Sequence, residues 1–460
     1  MDKMHGTRQG TAVVLGASIA GLFAAHVLAR SYPRVVLVDR DEVIGTNLPR
    51  RGVPQGHHVH GLLASGQLMA EDLIPGLTQD MLDAGVPMGD LGGQLRWFFN
   101  GRRLAPTRTG LMVVGGDRAV LESHVRSRVE RLPNTEFRQD TDIVSLEHDD
   151  AGARITGVRV QSRGGGPEEV LPADLVVDAT GRGSRTPVWL ESMGYGRVPV
   201  DSVKIGLTYT TRRFRLRTDA FGTDVSVNPV ATPKHPRGAF LTTLGGDLCG
   251  VSLTGVLGET PPADLSGFLE YTRSLPVPDV HEAIRNAEPL GEAVTFRFPA
   301  SVRRRYERLR RLPAGLAVVG DALCTFNPVY GQGMTMAAVQ ARVLGEQLAG
   351  GNAFSPRSYF RAASRALEPA WSIAVGGDLA FPEVPGRRTP LVRFVNAYLD
   401  RLRYAAHHDP RLAEAFLRVI GLVDPPERLL TPGVALRVIR GAYGSTGERA
   451  PIRTDTSRAG

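Results

Sequence analysis

The chain has 460 residues, 42% of them hydrophobic and 22% charged, enough for two or three packed modules. Disordered tails, collagen-like fibres and disulfide-stapled miniproteins are excluded. Cys249 and Cys324 stand far apart without CxxC spacing, which argues against a disulfide framework and suits a reducing cytoplasm. The net charge of +8 comes almost entirely from arginine, since Lys3, Lys204 and Lys234 are the lysines. The densest basic run, Arg303–Arg305 with Arg308, Arg310 and Arg311, carries no aromatic ladder, so no nucleic-acid partner is expected. It reads as a solvated face, with docking of an acidic carrier protein or of a nucleotide phosphate as a minor alternative. No stretch approaches the roughly 20 apolar residues that span a bilayer. Met1–Gly10 lacks an apolar signal core, so the expected location is cytoplasmic.

Thr11–Leu15 is a continuous apolar run, the pattern of a parallel strand buried on both faces. Gly16-Ala17-Ser18-Ile19-Ala20-Gly21 follows, then a helical pattern up to Pro33 and a β-branched run, Val35–Val38, ending in Asp39. Gly16 permits a tight turn, and Gly21 lets the helix press against the sheet. The helix start presents free N–H groups and its positive dipole end to a pyrophosphate, and Asp39 is placed to accept hydrogen bonds from a ribose. Ser18 replaces the usual middle glycine of this fingerprint. His57, His58 and His60 have no nearby carboxylate with metal-site spacing, so no metal is expected. Leu95–Phe99 followed by Asn100-Gly101 predicts a hairpin.

Farther along, Ala173–Asp178 is a second apolar strand running into the glycine-rich turn Ala179–Arg185. Val203–Leu216 and Phe240–Val256 alternate as antiparallel strands do, with a turn at Gly245–Asp247. With the Leu95–Phe99 hairpin they predict a separate sheet, and pockets favour the boundary between such units. Leu316–Ala322 repeats the strand-to-turn plan, continues through Asn327–Thr335 and enters a helical run from Met336 to Leu348. From about residue 351 helices are predicted around Tyr359–Phe360, Trp371–Ile373, Leu391–Leu402 and Leu412–Val423, as a lid or as scaffold. Gly444–Gly460 is polar and Gly-rich and is expected to fray. No Ser-His-Asp or Cys-His constellation supports a hydrolase.

Three strand-to-turn segments spread over the chain imply repeated return to one elongated ligand, longer than a simple dinucleotide domain requires. In this order the motifs resemble the class A FAD-dependent monooxygenases of the para-hydroxybenzoate hydroxylase fold. The chain is most similar among them to actinobacterial secondary-metabolite monooxygenases and epoxidases. Arg51-Gly52-Val53-Pro54-Gln55 with His58 and His60, Asp178–Arg185 and Asn327–Gly331 carry that closer likeness.

The resemblance implies an α/β fold: a discontinuous Rossmann-like FAD-binding domain, an inserted, mostly antiparallel substrate sheet and a C-terminal helical region. It divides the chain into FAD-binding parts 1–90, 111–200 and 297–350, a sheet hairpin 91–110, a substrate domain 201–296 and a helical cap and tail 351–460. It sets Gly16, Ser18 and Gly21 at the pyrophosphate, Asp39 with Arg40 at the adenosine end, and Arg51 or Arg50 with Gln55 along the phosphate and ribityl arm. Arg118 touches the cofactor, Asp321 binds ribityl hydroxyls, Pro328 packs near the ring, and Gly331, Gly333 and Met334 offer N–H groups to its pyrimidine edge. His58, His60, Trp97 and Tyr209 are the implied substrate contacts.

Two positions depart from the family pattern. Thr180 stands where the middle motif usually has Asp, and Thr335 where Asn follows the last glycines. The implied chemistry is reduction of FAD by NADPH or NADH, uptake of O2 as a C4a-hydroperoxide, and hydroxylation or epoxidation of a large apolar molecule of secondary metabolism. No catalytic acid or base is assigned. The alternatives are a flavin halogenase, a prenyl-chain reductase or dehydrogenase of the same fold, and an inactive flavin-binding partner. A halogenase calls for a tunnel lysine and a Trp-x-Trp-x-Ile-Pro segment, whose pattern Trp371-Ser372-Ile373 lacks. The whole reading requires Gly16, Asp321 and Gly333 to line one cavity.

Overall fold

The computed structural model describes residues 10–217, 219–349 and 353–443, so the leader and tail expectations lie outside the described residues apart from Gly10. Thr11–Leu15 forms the centre of a five-stranded sheet ordered Leu316–Val318, Leu175–Asp178, Thr11–Leu15, Arg34–Val38, Thr135–Arg138. Every pairing in it is parallel, with Val13 flanked by Val36 and Val176. Val13, Val35 and Val176 are completely buried, which is why these strands read as unbroken apolar runs. The helix Ile19–Leu28 lies against this sheet and packs on the long helix Gln332–Ala349.

The second large sheet has seven strands, ordered Glu288–Phe298, Leu207–Arg215, Leu248–Gly255, Arg237–Gly245, Ser226–Val230, Leu95–Phe99, Arg102–Arg103. All its pairings are antiparallel except that of Ser226–Val230 with Leu95–Phe99. The hairpin turn Asn100-Gly101 is left-handed at both residues, φ +50° and +75°, as a two-residue turn matching strand twist demands. Alternation assigns each face a role. Phe98, Phe214, Val227, Leu241, Val251 and Leu253 pack on the helices Leu265–Arg273 and Asp279–Ile284. Trp97, Tyr209, Asn228, Phe240, Thr242 and Ser252 face a cavity on the opposite side.

Several elements differ from expectation. The helix predicted from Met336 begins at Gln332, because Gly331 adopts φ +66° and lets the chain turn directly into it. Tyr359–Phe360 and Trp371–Ile373 share one helix, Pro356–Asp378, which runs through Pro369. The helix expected over Leu412–Val423 stops at Ile420. Val203 ends a strand of a separate small sheet, Val200–Val203 with Ser301–Arg304 and Cys324–Thr325. The sheet of Thr141–His148, Ile155–Ser162 and Glu169–Pro172 was not anticipated.

Arg308, Arg310 and Arg311 are exposed as a solvated face requires, but the start of the basic run is not. Arg303 is buried and pairs with Glu368 at 2.7 Å, and Arg305 pairs with Asp201 at 2.6 Å. Its first residues lie in the small-sheet strand Ser301–Arg304, so Arg303 ties the sheet to the helix Pro356–Asp378, while Arg305 holds the neighbouring strand Val200–Val203. No helix among the described residues is long and apolar enough to cross a membrane.

Candidate active site

One cavity of about 1200 Å³ is lined by Gly16, Asp321 and Gly333 together. Residues far apart in sequence meet there because the parallel strands bearing Gly16, Ala179 and Gly320 at their ends lie side by side. Ligands of open α/β sheets bind at such carboxyl-terminal strand ends.

The first turn is set by close backbone approach. A Cβ on Gly21 would meet the Gly16 carbonyl oxygen at 1.8 Å, and one on Gly16 (φ +96°) would meet that of Ala179 at 2.8 Å. Ser18 precedes the helix without capping it. Its hydroxyl instead donates to Glu122 and accepts from Arg118 Nη2 at 3.2 Å. The Asp39 carboxylate accepts from the Ala17 and Asp41 N–H groups at 2.7 and 2.9 Å.

Beneath this turn lies a buried charge cluster. Glu122 faces Arg50, Arg118 and Arg126. Burial opposes ionisation of Glu122, but the adjacent Arg50 and Arg118 together hold its carboxyl below the usual range. Burial lowers the pKa of Arg118, against the pull of Glu122 and Asp321. Asp321 is pushed up by burial, with Arg118, Arg182 and Arg304 opposing. A buried carboxylate facing a cavity is suited to accepting hydrogen bonds from ligand hydroxyls.

The second turn is organised by Asp178, which is fully buried. It accepts from Thr180 N (2.9 Å), Thr180 Oγ1 (2.6 Å), Thr186 Oγ1 (2.6 Å) and Ser184 Oγ. That carboxylate is consumed in shaping its own loop. Arg182 leaves the same loop and lies over the rings of Phe296 and Phe298, 5.3 and 5.4 Å from their centroids.

At the third segment, Gly331, Gln332, Gly333 and Met334 line the cavity at a helix start. A Cβ on Gly333 would meet nothing within 4 Å, and the buried Gln332 Oε1 has no partner. Thr335 does not line the cavity; it packs on Gly66, whose added Cβ would meet Thr335 Oγ1 at 2.3 Å. Asp378 locks the loop before this helix, accepting from Asn327 Nδ2 at 2.8 Å and from the Tyr330 hydroxyl at 3.1 Å. Burial pushes the Asp378 carboxyl up to about 6.

His58, His60, Trp97 and Tyr209 all line the cavity. His58 Nδ1 bonds Thr211 Oγ1 at 2.7 Å, its ring meets Tyr209 edge-on at 4.5 Å, and its buried Nε2 has no partner. Burial, then His57 and Arg213, lower its pKa to about 4, leaving the imidazole neutral near pH 7. His60 is lowered to about 3, chiefly by burial and then by Arg118. Trp97 Nε1 donates to the Leu91 carbonyl at 3.0 Å.

Ser18, Asp39, Arg40, Gln55, Arg118, Pro328, Gly331 and Met334 share the same cavity lining, whereas Gly21 and Arg51 do not. Gly21 is spent on helix–turn contact. Arg51 is exposed, and its neighbour Arg50 is buried against Glu122, Asp39 and Asp41. Sequence reasoning missed Glu122, Arg182 and Arg304. Glu122 had a visible signal, arginines four residues to either side at Arg118 and Arg126. No His/Cys/Asp/Glu group among the described residues could hold a metal ion.

An elongated FAD fits this donor set. Open space at Gly333 admits a ring edge, an uncapped helix start faces the cavity at Ser18, and Asp321 is available to a hydroxylated chain. Comparison with known proteins agrees. The family model for FAD dependent oxidoreductases matches residues 12–186. The chain is 35% identical over 443 residues to Protein Rv3254 of Mycobacterium tuberculosis, covering 91% of each protein. It is 28% identical over 362 residues to a kynurenine 3-monooxygenase of Salinispora arenicola, covering 74% of this chain and 73% of that protein. The flavin-dependent brominase Bmp2 shares the fold, with a TM-score of 0.66 over 94% of this chain and 98% of its own at 15% identity.

Proposed function

The chain belongs to the FAD-dependent oxidoreductase family, and on that basis we propose that it is a monooxygenase. It would use NADPH or NADH and O2 to hydroxylate or epoxidise a large, predominantly apolar small molecule of secondary metabolism. One observation carries this reading: the cavity that gathers the three cofactor motifs continues without a break to the face of the seven-stranded sheet, past Trp97, Phe240 and Phe296. A cofactor site alone would not need that wall.

Bound FAD would supply the redox chemistry and the activation of O2; the protein supplies position, dryness and charge control. The helix start at Gly331–Met334 carries about half a positive charge and would stabilise negative charge on a flavin ring held there. Asp378 holds the preceding loop through Asn327 and Tyr330. His58, held neutral by burial, can share a hydrogen bond with substrate without placing a cation in the pocket. Among the described residues no lysine lines the cavity, which favours oxygen transfer over the halogenase alternative. Likeness to a kynurenine 3-monooxygenase supports hydroxylation of an aromatic ring as one form of the reaction.

The test is direct. Purified protein should show a bound-flavin spectrum, oxidise NADPH or NADH faster with substrate present, and add one oxygen atom from labelled O2 to the product. A colourless protein that gains no flavin spectrum on addition of FAD would refute the assignment.

A further inference from the structure

The cavity face of the seven-stranded sheet carries a polar pair that neither the cofactor motifs nor the implied substrate contacts use. Ser226 and Asn228 lie two residues apart on the strand Ser226–Val230 and both line the cavity, while Val227 between them is buried in the opposite core. Asn228 is directly beside Trp97 in the strand register. Its Nδ2 donates to Ser226 Oγ at 2.9 Å, but its Oδ1 is buried without any hydrogen-bond partner. Both side chains are nearly completely buried, at 2% exposure for Ser226 and 3% for Asn228.

Buried amide oxygens are rarely left unpaired, because the lost hydration is not returned. Here no neighbour pairs with it: Trp97, Val225, Val230 and Phe240 are close by in the cavity lining, and the hydroxyl of Thr242, opposite Ser226, donates to the Val225 carbonyl at 3.1 Å. Arg96, next to Trp97 in sequence, is engaged with Asp224 at 2.5 Å. A leucine at position 228 would suit these neighbours better, unless the open atom is meant for a ligand.

We infer that Asn228 and Ser226 form a handle for a neutral hydroxyl group on the substrate. Within the proposed monooxygenase reading, the substrate is then an apolar skeleton bearing an alcohol. Asn228 Oδ1 accepts the substrate hydroxyl hydrogen, and the Ser226 hydroxyl, whose own hydrogen is uncommitted in the pair, donates to the substrate oxygen. Turning the amide over exchanges the roles and still leaves one donor and one acceptor open. An ether or ketone could satisfy only the donor, and a carboxylate would bring a buried charge to a place without a cation.

The test titrates the FAD-loaded enzyme with farnesol and with farnesyl methyl ether, following the visible flavin spectrum. The two probes share a carbon skeleton and differ in the hydroxyl hydrogen. Farnesol should bind the wild type about tenfold more tightly, equivalent to about 1.4 kcal/mol. Asn228→Leu should remove that preference, leave ether binding unchanged and keep the melting temperature at or above that of the wild type; Ser226→Ala, which deletes the donor that both probes use, should weaken both and keep the preference.

An equal response to both probes, or none, in fully flavin-loaded protein overturns the handle while the flavoenzyme assignment stands. So does an Asn228→Leu variant that melts lower and weakens both probes alike, which would make Asn228 a structural residue. Failure to take up FAD at all would instead strike the parent reading.

Discussion

Gly333 and Gly21 are both glycines at cofactor motifs, yet their surroundings predict opposite consequences of the same methyl group. At Gly21 an added Cβ would lie 1.8 Å from the Gly16 carbonyl oxygen and 3.3 Å from Val14. The helix Ile19–Leu28 must then shift off its strand, and overpacking of this kind costs about 1–3 kcal/mol or more. At Gly333 nothing stands within 4 Å and φ is not in the left-handed region. Alanine there gains helix propensity of up to about 1 kcal/mol, about 1 °C in melting temperature for a chain of this size. The empty space at Gly333 belongs to the cavity, so a methyl group should instead obstruct the ring edge of FAD. A steric penalty of about 1–3 kcal/mol weakens binding by about 5- to 150-fold. The assay pairs thermal melting of apoprotein with FAD titration followed by fluorescence quenching. Gly333→Ala should melt like the wild type or slightly higher and bind FAD poorly, and Gly21→Ala should melt lower. If Gly333→Ala binds FAD with wild-type affinity, the assignment of that helix start to the flavin fails.

Two further outcomes follow from the buried charges. Glu122→Ala should destabilise the protein by about 3–5 kcal/mol, because it takes the shared carboxylate from the buried Arg118 and Arg126 and the nearest one from Arg50; a denaturation midpoint close to that of the wild type would contradict the cluster's structural role. Asp378 has its carboxyl raised from 3.8 to about 6, so its neutral form is favoured by folding, and stability present below pH 3.8 is lost as pH rises through 6. Asp378→Asn keeps an acceptor for Asn327 and Tyr330 without the charge. Relative to the wild type it should therefore be stabilised by up to about 3 kcal/mol at pH 8 and by little at pH 4; a difference in melting temperature independent of pH would rule this out.

How far the sequence discloses such sites depends on what each residue answers to. Thr11–Leu15, Val35–Val38 and Leu175–Asp178 announce themselves because central parallel strands are buried on both faces and permit little but apolar side chains. The sheet of Thr141–His148, Ile155–Ser162 and Glu169–Pro172 escapes notice because most of its positions are partly or fully exposed, so composition there is weakly constrained. Glycine turns are legible as turns, but which glycine faces ligand and which faces backbone is a tertiary fact: Gly21 and Gly333 look alike in sequence and differ in what lies opposite. Arg50 and Arg51 pose the same problem. Adjacent on the chain, one is sealed against Glu122 and the other exposed, and only a helix from another part of the chain decides between them.

Asp178 shows why a motif can keep its position and change its task. In this chain the carboxylate accepts four hydrogen bonds from its own loop, through Thr180, Ser184 and Thr186, and has no surface exposed to the cavity. The same loop sends Arg182 outward over Phe296 and Phe298 of the neighbouring sheet. The polar groups of Asp178 therefore fix the turn, and the turn aims a cation at the boundary between the two sheets, where it joins Arg118 and Arg304 in facing Asp321. Arg182 and Asp321 follow neighbouring strands of the same parallel sheet, Leu175–Asp178 and Leu316–Val318, so a ligand at that boundary meets opposite charges from adjacent turns without any contact at Asp178 itself.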